Sequence, residues 1–169
     1  MKLARVMRDD GELPSGRAIA SPPIKNCGGA DIPRVPDEKW SPEPLRRKIE
    51  GGAGFLQTQF CFDLDVARQY FERLAAEGIT EQVGIIIGVG PIRSAKSARW
   101  MNENLFGVHV PDATIERLEG ADDQAAEGRA ICVELIEGLR ELPGPAGAHL
   151  MAPAQGTNAI AQVLLALGA

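Results

Sequence analysis

Residues 51–63 read GGAGFLQTQFCFD, and this stretch decides how the chain is organised. Gly51 and Gly52 can take the left-handed conformation that closes a helix. Phe55 to Phe62 is apolar, aromatic and threonine-bearing, the composition of a strand covered on both faces. Asp63 can then cap a helix that begins at Leu64. Gln59 is the anomaly, a neutral amide among Phe55, Leu56, Phe60 and Phe62. Buried without partners it would cost about 1–3 kcal/mol. The end of a strand relieves that cost in two ways, through a satisfied amide at the sheet margin or through a ligand that meets the side chain. The residues alone leave both open.

Working outward, β-then-α units repeat. Ile24–Ala30 reads as a short, glycine-bearing strand, Val83–Val89 (VGIIIGV) as the clearest buried strand, and Ala148–Ala152 (AHLMA) as the last. Lys2–Asp9 looks like the end of a helix, with Gly11 just past it. Ser41, Pro42 and Glu43 form a helix start, with Leu45 and Ile49 on one face. Val66, Tyr70, Phe71 and Leu74 share a face of the helix after Asp63. Ser94 can cap the helix that carries Ala98, Met101 and Leu105. Helices follow near Ile115 and Leu118, over Asp122–Leu142, and from about Thr157 to the end. This order predicts an α/β fold, a single domain over residues 1–169 built from parallel β/α units. Four strands leave two open edges, where eight would close a barrel. A small doubly wound sheet is the other arrangement, but no GxGxxG turn supports it.

The totals exclude several roles. The chain has 169 residues, 44% hydrophobic and 24% charged, with net charge −5. Such a balance argues against a nucleic-acid partner. No apolar run is long enough to span a membrane, and no signal-peptide pattern opens the chain. Cys27, Cys61 and Cys132 read as reduced, buried thiols of a cytoplasmic protein. His109 and His149 lie far apart with no Cys-x-x-Cys, so no metal site is expected. Arg46, Arg47 and Lys48 cluster before Gly51, as a solvated face that favours a helix C-terminus or as a binding patch. Trp100, near a turn, is either core or the wall of a ligand site.

Six stretches carry a likeness to a known family. They are Met7–Ile19 (MRDDGELPSGRAI), Gly28–Pro33 (GGADIP), Pro44–Asp63 (PLRRKIEGGAGFLQTQFCFD), Ile85–Met101 (IIIGVGPIRSAKSARWM), Gly107–Asp112 (GVHVPD) and Glu127–Ile136 (EGRAICVELI). With them the chain resembles the methylenetetrahydrofolate reductase family over nearly its whole length and in that family's order. The most specific matches are the core around Thr58–Gln59 and the G-x-x-P-x-x-S turn from Gly88 to Ser94.

The resemblance implies a flavin enzyme on a TIM (β/α)8 barrel, which uses NAD(P)H and FAD to reduce methylenetetrahydrofolate to methyltetrahydrofolate. It implies that this chain is the C-terminal half of such a barrel, a half or partial barrel without the family's catalytic acid, and so nearly inactive alone. No catalytic residue is therefore expected here. Gln59 matches the glutamine that hydrogen-bonds the pterin. Arg47 and Lys48 match cations at the FAD diphosphate, where charge-assisted contacts are sensible. Ser97 lies near a family position that touches the folate, and Trp100–Met101 stands where the family often has an aromatic against the substrate ring. Relatives often carry an arginine for the folate tail where this chain has Ala154. The expected partners are folate and either a second copy or a complementary barrel half. The rival readings are a non-catalytic flavin- or folate-binding fragment, an assembly subunit, and a phosphate-handling barrel with no folate.

Overall fold

A computed structural model describes residues 2–23 and 26–168. In chain order the elements are α1 (Lys2–Asp9), β1 (Cys27–Asp31), α2 (Glu43–Glu50), β2 (Ala53–Phe60), α3 (Leu64–Ala76), β3 (Gly84–Val89), α4 (Ala95–Asn104), α5 (Asp112–Glu119), α6 (Gln124–Arg140), β4 (Pro145–Leu150) and α7 (Gly156–Ala166). The four strands form one parallel sheet in the order β1-β2-β3-β4. Sequential order without reversal is how a (β/α) barrel is built, whereas a doubly wound sheet reverses direction at a switch point.

The helices cover one face of this sheet. Leu56 of β2 and Ile85, Ile87 and Val89 of β3 are fully buried in a cluster with Leu45 of α2, Tyr70, Phe71 and Leu74 of α3, Leu135 and Leu139 of α6, and Val163 of α7. A second cluster joins Phe60 and Phe62 to Met101 of α4 and to Ile115 and Leu118 of α5. The other face is open. Phe55, Gln57 and Gln59, which alternate with the buried residues of β2, are half-buried. This corrects the expectation of a strand covered on both faces: the apolar run Phe55–Phe62 is buried on one side only.

Local chemistry sets most boundaries. Asp63 caps α3 by accepting from the backbone N–H groups of Asp65 and Val66. Ser94 and Ser97 form a reciprocal capping box at the start of α4. After α2 it is Gly52, at φ +94°, that adopts the left-handed conformation, while Gly51 stays right-handed. Two expectations shift. The first strand is Cys27–Asp31, and the Ile24–Lys25 part of the expected strand lies outside the described residues. The last strand begins at Pro145, upstream of the expected start at Ala148, and ends at Leu150 rather than Ala152. Proline is tolerated there because β4 lies at an edge of the sheet. The thiols are free, with Cys61 and Cys132 buried and Cys27 only partly so.

Candidate functional site

Gln59 is the penultimate residue of β2, at the C-terminal end of the parallel sheet and on its open face. Its Oε1 accepts from the Phe60 N–H at 3.0 Å, and its Nε2 donates to the Phe106 carbonyl at 3.4 Å. One N–H of the amide is thus weakly engaged and the other has no protein acceptor among the described residues. A cavity of about 570 Å³ lies on this face, lined by Gly28, Gly29 and Ala30 of β1, by Phe55, Gln57 and Gln59 of β2, and by Met151. The glycines let a ligand approach the backbone closely. Deeper in the same face, Gln57 Nε2 lies 2.5 Å from His149 Nδ1 of β4.

A second cavity, of about 460 Å³, opens at the same end of the sheet but toward the helices. Ser97, Trp100 and Met101 of α4 line it, with Phe60, Arg93, Lys96 and Gln155. Trp100 is 54% exposed, so it is a cavity wall and not core. Its indole offers a large apolar face with one polar handle, suited to a flat heteroaromatic ligand. Ser97 has its hydroxyl committed to the Ser94 backbone carbonyl, donating at 2.7 Å. The structure therefore brings Ser97, Trp100 and Met101 together and places Gln59 in a neighbouring cavity on the other side of β2.

Arg47 and Lys48 lie in the last turn of α2, next to the start of β2. Gln59 is six residues into that strand, about 20 Å from its start, but the Lys48 side chain reaches back along the sheet to Ala30 and Asp31, which are in register with Gln57 and Thr58. Arg47 is exposed, and no carboxylate pairs with it among the described residues. Lys48 is engaged already: its ammonium donates to the Ala30 carbonyl and sits 3.5 Å from Asp31 Oδ1. That contact ties α2 to the edge strand β1. A diphosphate would be met by Arg47 as it stands and by Lys48 only in exchange for Asp31. The third cation of the cluster, Arg46, pairs with Glu77 at 2.9 Å.

Three contributors were not singled out from the sequence. Arg93 and Lys96 put two cations on the Trp100 cavity, and neither has a carboxylate within ion-pair distance among the described residues. Gln155 donates to the Pro91 carbonyl at 2.8 Å and closes the far wall. It follows Ala154, which stands at φ +58° in the left-handed region. That conformation costs a residue with a Cβ roughly 1–2 kcal/mol. The signal for Gln155 was its place beside the position where an arginine was expected. No group of three or more His, Cys, Asp or Glu able to hold a metal occurs among the described residues. No helix there is long and apolar enough to cross a membrane.

Comparison with known proteins gives three findings. Residues 18–168 match the family described as methylenetetrahydrofolate reductase. The 5,10-methylenetetrahydrofolate reductases of Escherichia coli K12 and Salmonella typhimurium are similar, the former 32% identical over 81 residues. That match covers 48% of this chain and 26% of the E. coli protein, so the matched stretch spans about a quarter of that curated relative's length. Among solved structures, an uncharacterized Clostridium thermocellum protein that binds two copies of 5-methyl-5,6,7,8-tetrahydrofolic acid superposes with a TM-score of 0.55 at 20% identity. It covers 82% of this chain and 50% of its own, and the likeness is one of fold.

Proposed function

The chain belongs to the methylenetetrahydrofolate reductase family, and from that premise we propose that it is a folate-binding unit of an FAD-dependent reductase. In this reading the whole enzyme reduces methylenetetrahydrofolate to methyltetrahydrofolate with NAD(P)H as reductant, in the cytoplasm. The observation that carries it is Gln59: an amide with donor capacity to spare, at the C-terminal end of a parallel strand, facing a glycine-floored cavity. Barrel chemistry gathers at that end of the strands.

Gln59 hydrogen-bonds the pterin edge, where donor and acceptor on one planar group match a heterocycle. Trp100 and Met101 pack against the aromatic part of the substrate, and Ser97 lies beside them at the start of α4. Arg47 and Lys48 hold the FAD diphosphate on the α2 side of the sheet, with the Lys48 ammonium level with Gln57 and Thr58 of β2. When bound, the flavin supplies the hydride transfer between nicotinamide and folate. No group of this chain is assigned as the catalytic acid. It is supplied by a complementary (β/α) unit that also closes the two open sheet edges. The Lys48–Asp31 pair favours a second reading, a folate-binding unit that holds no flavin, because one of the two diphosphate cations is occupied.

Calorimetric titration of the purified chain with 5-methyltetrahydrofolate tests the folate reading. Gln59→Ala should weaken binding about tenfold, the loss of roughly 1.4 kcal/mol. Equal affinity in both proteins would remove Gln59 from the site. FAD retention, read from visible absorbance, separates the two readings. A coloured protein that pales in Arg47→Ala and Lys48→Ala supports the flavin unit, and a colourless protein that binds folate supports the second.

A further inference from the structure

β2 and β3 are in register at Gln57↔Ile86 and again at Phe60↔Gly88. Between those pairs β2 carries Thr58 and Gln59 while β3 carries Ile87 alone. One extra residue makes a β-bulge, which bends the strand and re-aims the side chain it carries. Thr58 closes the gap in the ladder. Its hydroxyl accepts from the Gly88 N–H at 2.9 Å and donates to the Gln59 carbonyl at 2.8 Å. The side chain is only 4% exposed, and both partners are backbone groups. Gly88 completes the device, because a Cβ there would stand 2.6 Å from the Thr58 carbonyl oxygen and 2.7 Å from that of Gln59. The same bulge leaves the Phe60 N–H to the Gln59 Oε1, which fixes the amide with its NH₂ outward.

We infer that Thr58 is a positioning residue for Gln59: its hydroxyl holds the bulge that aims the Gln59 amide into the β1–β2 cavity, and so sets how well that amide recognises its ligand. This rests on the folate reading above for the identity of the ligand, but not for the geometry. A threonine with a purely structural role would stabilise the sheet without touching Gln59 in particular. A threonine acting through Gln59 must lose its effect on binding once the Gln59 side chain is gone.

The test uses the full chain with Thr58→Val, isosteric but without the hydroxyl, and Thr58→Ser, which keeps it. Two measurements decide. The first needs no ligand: the Gln59 side-chain amide resonances, assigned by their loss in Gln59→Ala, should move in Thr58→Val and return in Thr58→Ser. The second is affinity for 5-methyltetrahydrofolate, expected to fall about tenfold in Thr58→Val, to stay within about twofold in Thr58→Ser, and to show no added loss when Thr58→Val is combined with Gln59→Ala. Unmoved resonances overturn the inference, and so does an added loss in the double variant. Should Thr58→Val fail to fold, Thr58→Ser still decides, since a large loss with the hydroxyl retained overturns it. Absence of folate binding in the parent chain would sink the folate reading, while the resonances would still settle the role of Thr58.

Discussion

The Tyr70 hydroxyl of α3 donates a hydrogen bond to Asp31 Oδ2 at 2.5 Å, tying a helix that covers β2 to the last residue of the edge strand β1. Tyr70 is fully buried, and Asp31 is shared with the Lys48 ammonium. Burial first, and then the neighbouring Asp31 carboxylate, push the phenol well above its usual range, so it stays a donor through the whole working range of pH. Tyr70→Phe removes the donor and leaves Lys48 as the carboxylate's remaining partner. We expect a loss of about 1–3 kcal/mol in urea unfolding, and faster amide exchange in β1 than in β3. Uniform exchange in all four strands would show that the bond does not anchor the edge.

Gly128 of α6 packs on the turn between β3 and α4. A Cβ at this position would stand 1.7 Å from the Ile92 carbonyl oxygen. Helix propensity alone favours Gly128→Ala by about 1 kcal/mol. Overpacking against backbone costs about 1–3 kcal/mol or more and wins here. Thermal unfolding of Gly128→Ala should therefore show a lowered midpoint, and a raised one would mean that α6 is free to move off the turn.

Burial pushes the Cys61 thiol up to about 11 and the Cys132 thiol up to about 12. Both groups are raised in the folded state, so stability is complete below the unfolded thiol's ordinary value near 8.5 and is lost as pH rises toward the folded values. Above that ordinary value each thiol costs about 1.4 kcal/mol per pH unit until its folded value is reached. Unfolding free energy measured from pH 8 to 10.5 should fall, and fall less steeply in Cys61→Ala with Cys132→Ala. In the native chain at pH 8 a thiol-specific reagent should reach Cys27 well before the other two.

The open edges predict association. Among the described residues β1 and β4 each have one neighbour in the sheet, and Phe55 and Gln57 lie half-buried on a face that no helix there covers. Leu164 and Leu165 of α7 are also exposed, at 41% and 75%. At about 25 cal/mol per Å², a few hundred Å² of apolar surface is worth several kcal/mol, comparable with the stability of a whole domain. Light scattering at low micromolar concentration should give a mass above that of one chain, or a shift to a defined complex when a complementary (β/α) unit is added. A lone monomer with cooperative unfolding that ignores the added unit would remove this prediction.

By itself the sequence determined what short-range chemistry controls. Asp63 and Ser94 cap the helices they precede because the donors they satisfy lie two or three residues away. The apolar run in β3 and the apolar face of α3 declare a strand and a helix by period alone. Gln59 could be placed at a strand end because an amide in an apolar run has few other places to go. What the tertiary structure decided depends on pairing across distance. The bulge at Thr58–Gln59 exists only relative to β3, so no reading of β2 alone could contain it. Lys48 meets Asp31 across a connection that carries no periodic signal, and which cation is already paired could not be read from a basic cluster. Whether the second face of β2 is covered is decided by what packs against it, because an apolar strand has the same composition whether one face or both are buried.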